Sequence, residues 1–154
     1  MFWHAVSSMK RYWTGAHTKH RLQYHLVFIP KYRRRVLRGK VPVRLKQLFY
    51  EACRINGWRI TELSIQVDHV HMLIQIGPSE SVAHIVQMLK GGSSRMMRKE
   101  FPELEEFLWG DSFWADGYFA ETVGSAEESV VKRYIREQTG AGRSMPASSR
   151  SRGL

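Results

Sequence analysis

A chain of 154 residues with 24 Lys and Arg against 14 Asp and Glu has a formal charge of +10 and an isoelectric point near 10.1. That length supports one domain around one core, the ordinary apolar fraction excludes disorder as the default, and the positive field makes a polyanion such as nucleic acid the first partner class to test. The lone cysteine, Cys53, excludes an intramolecular disulfide and a multi-cysteine zinc site, and it reads as a buried, inert thiol on a helix.

No apolar run reaches the length of a membrane span, and the first residues lack a continuous signal-peptide core, so no membrane is expected and the cytoplasm is the default location. Residues 1–18 mix aromatics, His and Lys without a period and read as an extension. From there a domain is expected over 19–139 and a basic flexible tail over 140–154, where Gly, Ser and Arg replace any hydrophobic period.

The segment "HRLQYHLVFIP" reads as a strand stopped by Pro30, and "KYRRRVLRGK" as a basic connector. In "VPVRLKQLFYEACRINGW" the residues Val43, Leu45, Leu48, Phe49, Ala52 and Ile55 fall near helical spacing, with Gly57 ending the helix. "WRITELSIQV" and "HVHMLIQIG" alternate on either side of Asp68, which predicts an antiparallel hairpin with a tight connection. Val82, Ile85, Val86 and Leu89 form a helical stripe that Gly91–Gly92 is expected to weaken or break. "PELEEFLWGD" reads as a short acidic turn, and "FWADGYFAETVG" as a strand with a bulge at Gly117. A last helix is expected from a capping box at Ser125 and Glu128 through Gln138, terminated by Gly140. The order β-α-β-β-α-β-α predicts an α+β class: a ferredoxin-like (RRM-like) antiparallel sheet carrying helices, with an added C-terminal helix.

On the strand "HVHMLIQI", Val70, Met72, Ile74 and Ile76 share one face and form core, while His69, His71, Leu73 and Gln75 share the other. Two imidazoles about 6 to 7 Å apart along a strand are spaced either to chelate one metal ion or to be satisfied separately by backbone and water. On the last helix Tyr134 and Gln138 lie one turn apart on one face. Tyr134 is either an ordinary core aromatic or, beside a cation that favours its phenolate, a nucleophile for a phosphodiester. Gln138 is either a third, neutral ligand or a solvated residue near the helix end.

With these residues in place, "YHLVFIPKYRRRVL", "DHVHMLIQI", "FWADGYFAETVG" and "YIREQ", in that order, resemble the single-tyrosine HUH transposases of the insertion-sequence 200/605 type, TnpA-like and related to REP-associated tyrosine transposases. The resemblance spans about His20 to Gln138. It implies that His69 and His71 are metal ligands completed by Gln138, that the ion is Mg²⁺ or Mn²⁺, and that Tyr134 is the nucleophile. The implied reaction cleaves and rejoins single-stranded DNA at hairpin-bearing element ends through a 5′-phosphotyrosine. It also implies a homodimer whose sites combine His69 and His71 of one subunit with Tyr134 and Gln138 of the other. Lys31, Arg33, Arg34, Arg35, Arg38 and Lys40, with Arg95, Arg98 and Lys99, read either as solvated faces or as a track for DNA phosphates. The competing class is a non-catalytic ferredoxin-like RNA- or DNA-binding module, since "DGYFAETV" echoes an aromatic base-stacking strand. Such a module would not require His69, His71, Tyr134 and Gln138 together.

Overall fold

The structure, a computed structural model, describes residues 13–14, 19–20, 22–108, 110 and 112–138. Its main sheet has four antiparallel strands: β1 (Leu22–Phe28), β2 (Arg59–Gln66), β3 (His69–Ile76) and β4 (Phe119–Thr122), in the order β2-β3-β1-β4. Three helices accompany it: α1 (Val41–Asn56), α2 (Val82–Glu100) and α3 (Glu128–Glu137). This is the expected ferredoxin-like α+β arrangement with an added C-terminal helix. Within the stretch read as an extension and domain start, Trp13–Thr14 pairs with Lys19–His20 as a two-residue antiparallel ladder.

Strand alternation decides what each face of the sheet does. Leu26, Phe28, Val70, Met72, Ile74 and Ile76 point to one side and join α1 and α2 in the main core. Phe28 anchors it, its ring edge-on to Phe49 at 5.8 Å and to Trp114 at 4.8 Å. The opposite face presents His25, His71 and Leu73, and α3 packs there: Leu73, Val123 and Ile135 form a second, small cluster with Val131 and Tyr134 against it. The expected hairpin is present, with Gln66 opposite His69 across the tight turn at Val67 and Asp68.

Several expectations shift by a few residues. In α1 the buried stripe is Val41, Leu45, Phe49 and Cys53, at strict four-residue spacing, whereas Val43 and Ile55 are 61% and 67% exposed. Gly57 does end the helix, at φ +76°, a conformation glycine adopts without steric cost. Cys53 is buried, and desolvation pushes its thiol pKa up to about 12, as an inert thiol requires.

Gly91–Gly92 does not break α2, which is continuous from Val82 to Glu100. Its neighbours are tied to the segment that follows: Lys90 Nζ donates to the carbonyls of Ala115 and Gly117, at 2.6 and 2.8 Å. Trp114 Nε1 donates to Ser93 Oγ at 2.8 Å, and Phe113 N–H donates to Ser94 Oγ at 2.9 Å. Those bonds outweigh a helix penalty of about 1 kcal/mol per glycine.

The acidic turn is a short 3₁₀ helix, Pro102–Glu106. The strand expected across "FWADGYFAETVG" is confined to β4, and Gly117 lies before it at φ +80° rather than in a bulge. The sheet's register shift falls in β2 instead, between Ile60 and Glu62. Nor does Ser125 cap α3. The chain turns through residues 125–127, Glu127 takes the cap position, and Glu127 Oε2 accepts from Gly124 N–H at 3.2 Å. Gly140 lies outside the described residues.

Candidate active site

The His69 end of β3 and the inner face of α3 meet over the sheet. His71 is fully buried and His69 half-buried, with ring centroids 4.9 Å apart. Tyr134 lies edge-on to His71 at 5.6 Å, and Gln138, one turn further along, is 4% exposed. His69, His71 and Tyr134 are thus brought together within one chain, and Gln138 follows as the C-cap residue of α3.

Four buried side-chain polar atoms lack a hydrogen-bond partner among the described residues, and three of them are here: His69 Nε2, His71 Nε2 and the Tyr134 hydroxyl. Buried polar atoms are nearly always paired, so a concentration of unpaired ones marks a place where another group belongs. No group of three or more His, Cys, Asp or Glu that could hold a metal ion occurs among the described residues.

Each histidine has its other ring nitrogen occupied. His69 Nδ1 lies 2.7 Å from Asp68 Oδ1, while Arg33 Nε donates to Asp68 Oδ2 at 3.2 Å. Burial alone would raise the Asp68 carboxyl, but the His69 hydrogen bond and charge, with Arg33, hold it below its usual value. His71 Nδ1 shares a 3.0 Å hydrogen bond with His25 Nε2, and the two rings stack at 5.3 Å. On its far side His25 Nδ1 faces Glu121 Oε1 at 3.6 Å. Desolvation, then the nearby His25 and His69, pushes the His71 pKa down to about 2. Burial likewise lowers His25, against an opposing pull from Glu121. Both rings are therefore neutral at pH 7. Burial also raises the Tyr134 phenol above its usual value, so the chain by itself keeps that group protonated.

Sequence reading missed His25, Glu121 and Asp68 as members of the site. β1 places His25 directly opposite Glu121 and diagonal to His71, two positions along from its own partner Leu73. A signal existed: His25 is a titratable residue within β1, on the face opposite Leu26 and Phe28.

The predicted basic residues fall into two groups. Arg33, Arg34, Arg35, Arg38 and Lys40 line a groove of about 750 Å³ with Tyr32 and Phe107, alongside the 3₁₀ turn Lys31–Arg33. Tyr32 and Arg33 there are both left-handed, at φ 59° and 51°, and Tyr32 is 61% exposed beneath the cations of Lys31 and Arg34. Arg33 is already bonded to Asp68, and Arg38 Nε donates to the Arg35 carbonyl at 2.8 Å. Arg95 and Arg98 line a separate cleft of about 370 Å³ with Lys90 and Trp114, and Arg98 pairs with Glu105 at 3.5 Å. Phe119, part of the aromatic strand that suggested a binding module, packs edge-on against His25 at 5.8 Å.

Residues 18–138 match the family model described as "Transposase IS200 like". The chain belongs to the IS200-like transposase family. It is 34% identical over 119 residues to the ISDra2 transposase TnpA of Deinococcus radiodurans, covering 77% of this chain and 85% of that protein. To the transposase for insertion sequence element IS200 of Salmonella typhimurium it is 36% identical over 123 residues, 80% of each chain. A crystal structure of a candidate transposase from Deinococcus radiodurans R1 superimposes with a TM-score of 0.68 at 32% identity, over 84% of this chain and 99% of that one. A REP-associated tyrosine transposase bound to a REP hairpin shares the fold, with a TM-score of 0.59 at 10% identity over 82% of this chain and 70% of that one. As an IS200-like transposase the chain is a DNA-processing enzyme. No helix among the described residues is long and apolar enough to cross a membrane.

Proposed function

We propose that this transposase cleaves and rejoins single-stranded DNA through a covalent 5′-phosphotyrosine on Tyr134. The observation that supports it is the convergence of three buried, unpaired atoms, His69 Nε2, His71 Nε2 and the Tyr134 hydroxyl, in one site. The unpaired Nε2 atoms of His69 and His71, with the Gln138 amide one turn from Tyr134, suit a divalent ion, Mg²⁺ or Mn²⁺, held by His69, His71 and Gln138. Such an ion, when bound, polarises the non-bridging oxygens of the scissile phosphate and favours the phenolate.

The chain's own residues then do the following. The Tyr134 oxygen bonds to phosphorus as the bond from phosphorus to the 3′ oxygen breaks; the phenol proton is lost and the departing 3′ oxygen takes one up. A 3′ hydroxyl later attacks the same phosphorus, frees Tyr134 and restores a phosphodiester. One ester replaces another in each half, so no nucleotide cofactor is required. The groove lined by Arg33, Arg34, Arg35 and Arg38, with Lys31 beside it, holds phosphates of a hairpin-bearing substrate; Arg95 and Arg98 extend the positive surface. The assembly is a homodimer in which α3 serves its own sheet or its partner's.

The test is covalent capture. With Mg²⁺ or Mn²⁺ and single-stranded DNA bearing the element end, the protein should remain attached to the 5′ product. Tyr134→Phe should abolish the adduct and leave DNA binding intact. An adduct of normal yield from Tyr134→Phe refutes the nucleophile, and cleavage that persists in excess chelator refutes the metal.

A further inference from the structure

His25 is buried and is not itself a member of the proposed ligand set. Yet it sits between the innermost histidine and a carboxylate: Nε2 is 3.0 Å from His71 Nδ1 and Nδ1 is 3.6 Å from Glu121 Oε1. Its ring is further boxed by Phe119 and Tyr134, each edge-on, at 5.8 and 6.2 Å. Only two proton arrangements satisfy a bond between two neutral imidazoles. In the first, His71 Nδ1–H donates to His25 Nε2, His25 Nδ1–H points at Glu121, and His71 Nε2 is a bare lone pair. In the second every proton is on the other nitrogen.

The surroundings choose between them. In the second arrangement the His25 Nδ1 lone pair would face a carboxylate oxygen, which is acceptor against acceptor. His71 Nε2–H would then be a buried donor with nothing to receive it, because that atom has no partner. The first arrangement removes both faults. It leaves as its one unmet atom a lone pair, which is what a metal ligand offers.

We propose that His25, backed by Glu121, is a positioning residue that locks His71 as the Nδ1-protonated tautomer with Nε2 presented to the site. Asp68 does the corresponding work for His69, so the two histidines are oriented by different chemistry, a carboxylate for one and a neutral ring for the other. This rests on the metal-site reading above, and the experiment separates the two. In metal-free protein with ¹⁵N-labelled histidine, long-range proton–nitrogen correlations at neutral pH should show His71 protonated on Nδ1 and bare on Nε2. Mn²⁺ titration followed by electron paramagnetic resonance should then give an affinity about 10- to 100-fold weaker for His25→Leu. His25→Gln should stay close to the native affinity, because its amide oxygen can take the place of Nε2 and accept the same N–H.

A His71 ring protonated on Nε2 overturns the inference while native Mn²⁺ binding stands. A His25→Leu protein that binds Mn²⁺ like the native chain also overturns it, as does His25→Gln weakened as much as His25→Leu, since the role would then be packing. Failure of the native protein to bind Mn²⁺ refutes the metal reading, while the tautomer in metal-free protein still decides this inference. The tautomer measurement needs no substitution, so it decides the matter even if His25→Leu does not fold.

Discussion

Acid should destabilise this fold through His71 well before its carboxylates titrate. In the folded chain His71 is buried and neutral with a pKa of about 2; in the unfolded chain it returns to about 6.5. Below pH 6.5 the unfolded state therefore binds a proton that the folded state refuses, so stability is complete above that pH and is lost as pH falls toward 2. The slope is about 1.4 kcal/mol per pH unit for one histidine, which makes the loss about 2 kcal/mol between pH 7 and pH 5. His25, also lowered by burial, steepens the slope in the same direction. Against a typical total of roughly 5–15 kcal/mol that is a measurable fraction. The assay is urea unfolding at pH 7 and pH 5 in chelator, for the native chain and for His71→Gln, which cannot take the proton. The native chain should lose more stability than the variant over that interval, by about the 2 kcal/mol worked above. Equal losses would refute the reasoning, because the buried imidazole would then contribute nothing to the pH dependence.

Other outcomes follow from features nearer the surface. Gly91 and Gly92 are exposed in α2, and an added Cβ at either meets nothing within 4 Å, so Gly91→Ala and Gly92→Ala should each raise the unfolding free energy by about 1 kcal/mol. Binding to a hairpin with a single-stranded flank should weaken steeply with salt and exceed binding to perfect duplex of the same sequence; equal affinity for the two would contradict the hairpin assignment. Mixing Tyr134→Phe protein with His69→Ala, His71→Ala protein, each inactive alone, should recover cleavage if α3 reaches its partner's sheet. Heterodimers that form and do not cleave would confine each site to one subunit.

The parts of this molecule that were legible in the sequence are those fixed by local period. Alternation assigned Val70, Met72, Ile74 and Ile76 to the core and His69 and His71 to the other face, and the structure agrees. What sequence could not show was decided by partners far along the chain. Gly91–Gly92 stays helical because Lys90, Ser93 and Ser94 are bonded to residues 113–117, contacts invisible to helix propensity. In α1 the buried stripe begins at Val41, since the helix is rotated by where Phe49 meets Phe28, leaving Val43 and Ile55 outside. Tyr134 and Gln138 could be placed on one helix face, but the seat of that face against β3 is tertiary. His25 and Glu121 escaped notice for the same reason: 46 positions separate His25 from His71, and strand pairing alone brings them together.

The helix that presents the tyrosine rests on a cluster whose buried members are only Leu73, Val123 and Ile135, distinct from the core that holds the rest of the sheet. Among its further contacts is an exposed ion pair from Arg136 to Glu62, at 2.6 Å, of the kind that water and salt weaken. In native-state hydrogen exchange the amides of α3 belong among those released by local opening, while those of β3 should wait for global unfolding. On the proposed chemistry the cut strand's 5′ end is bonded to the element that leaves most readily, and the ion is held by the strand that leaves last. On that proposal the DNA end would be moored to the less deeply anchored element while the machinery that cut it stays in place.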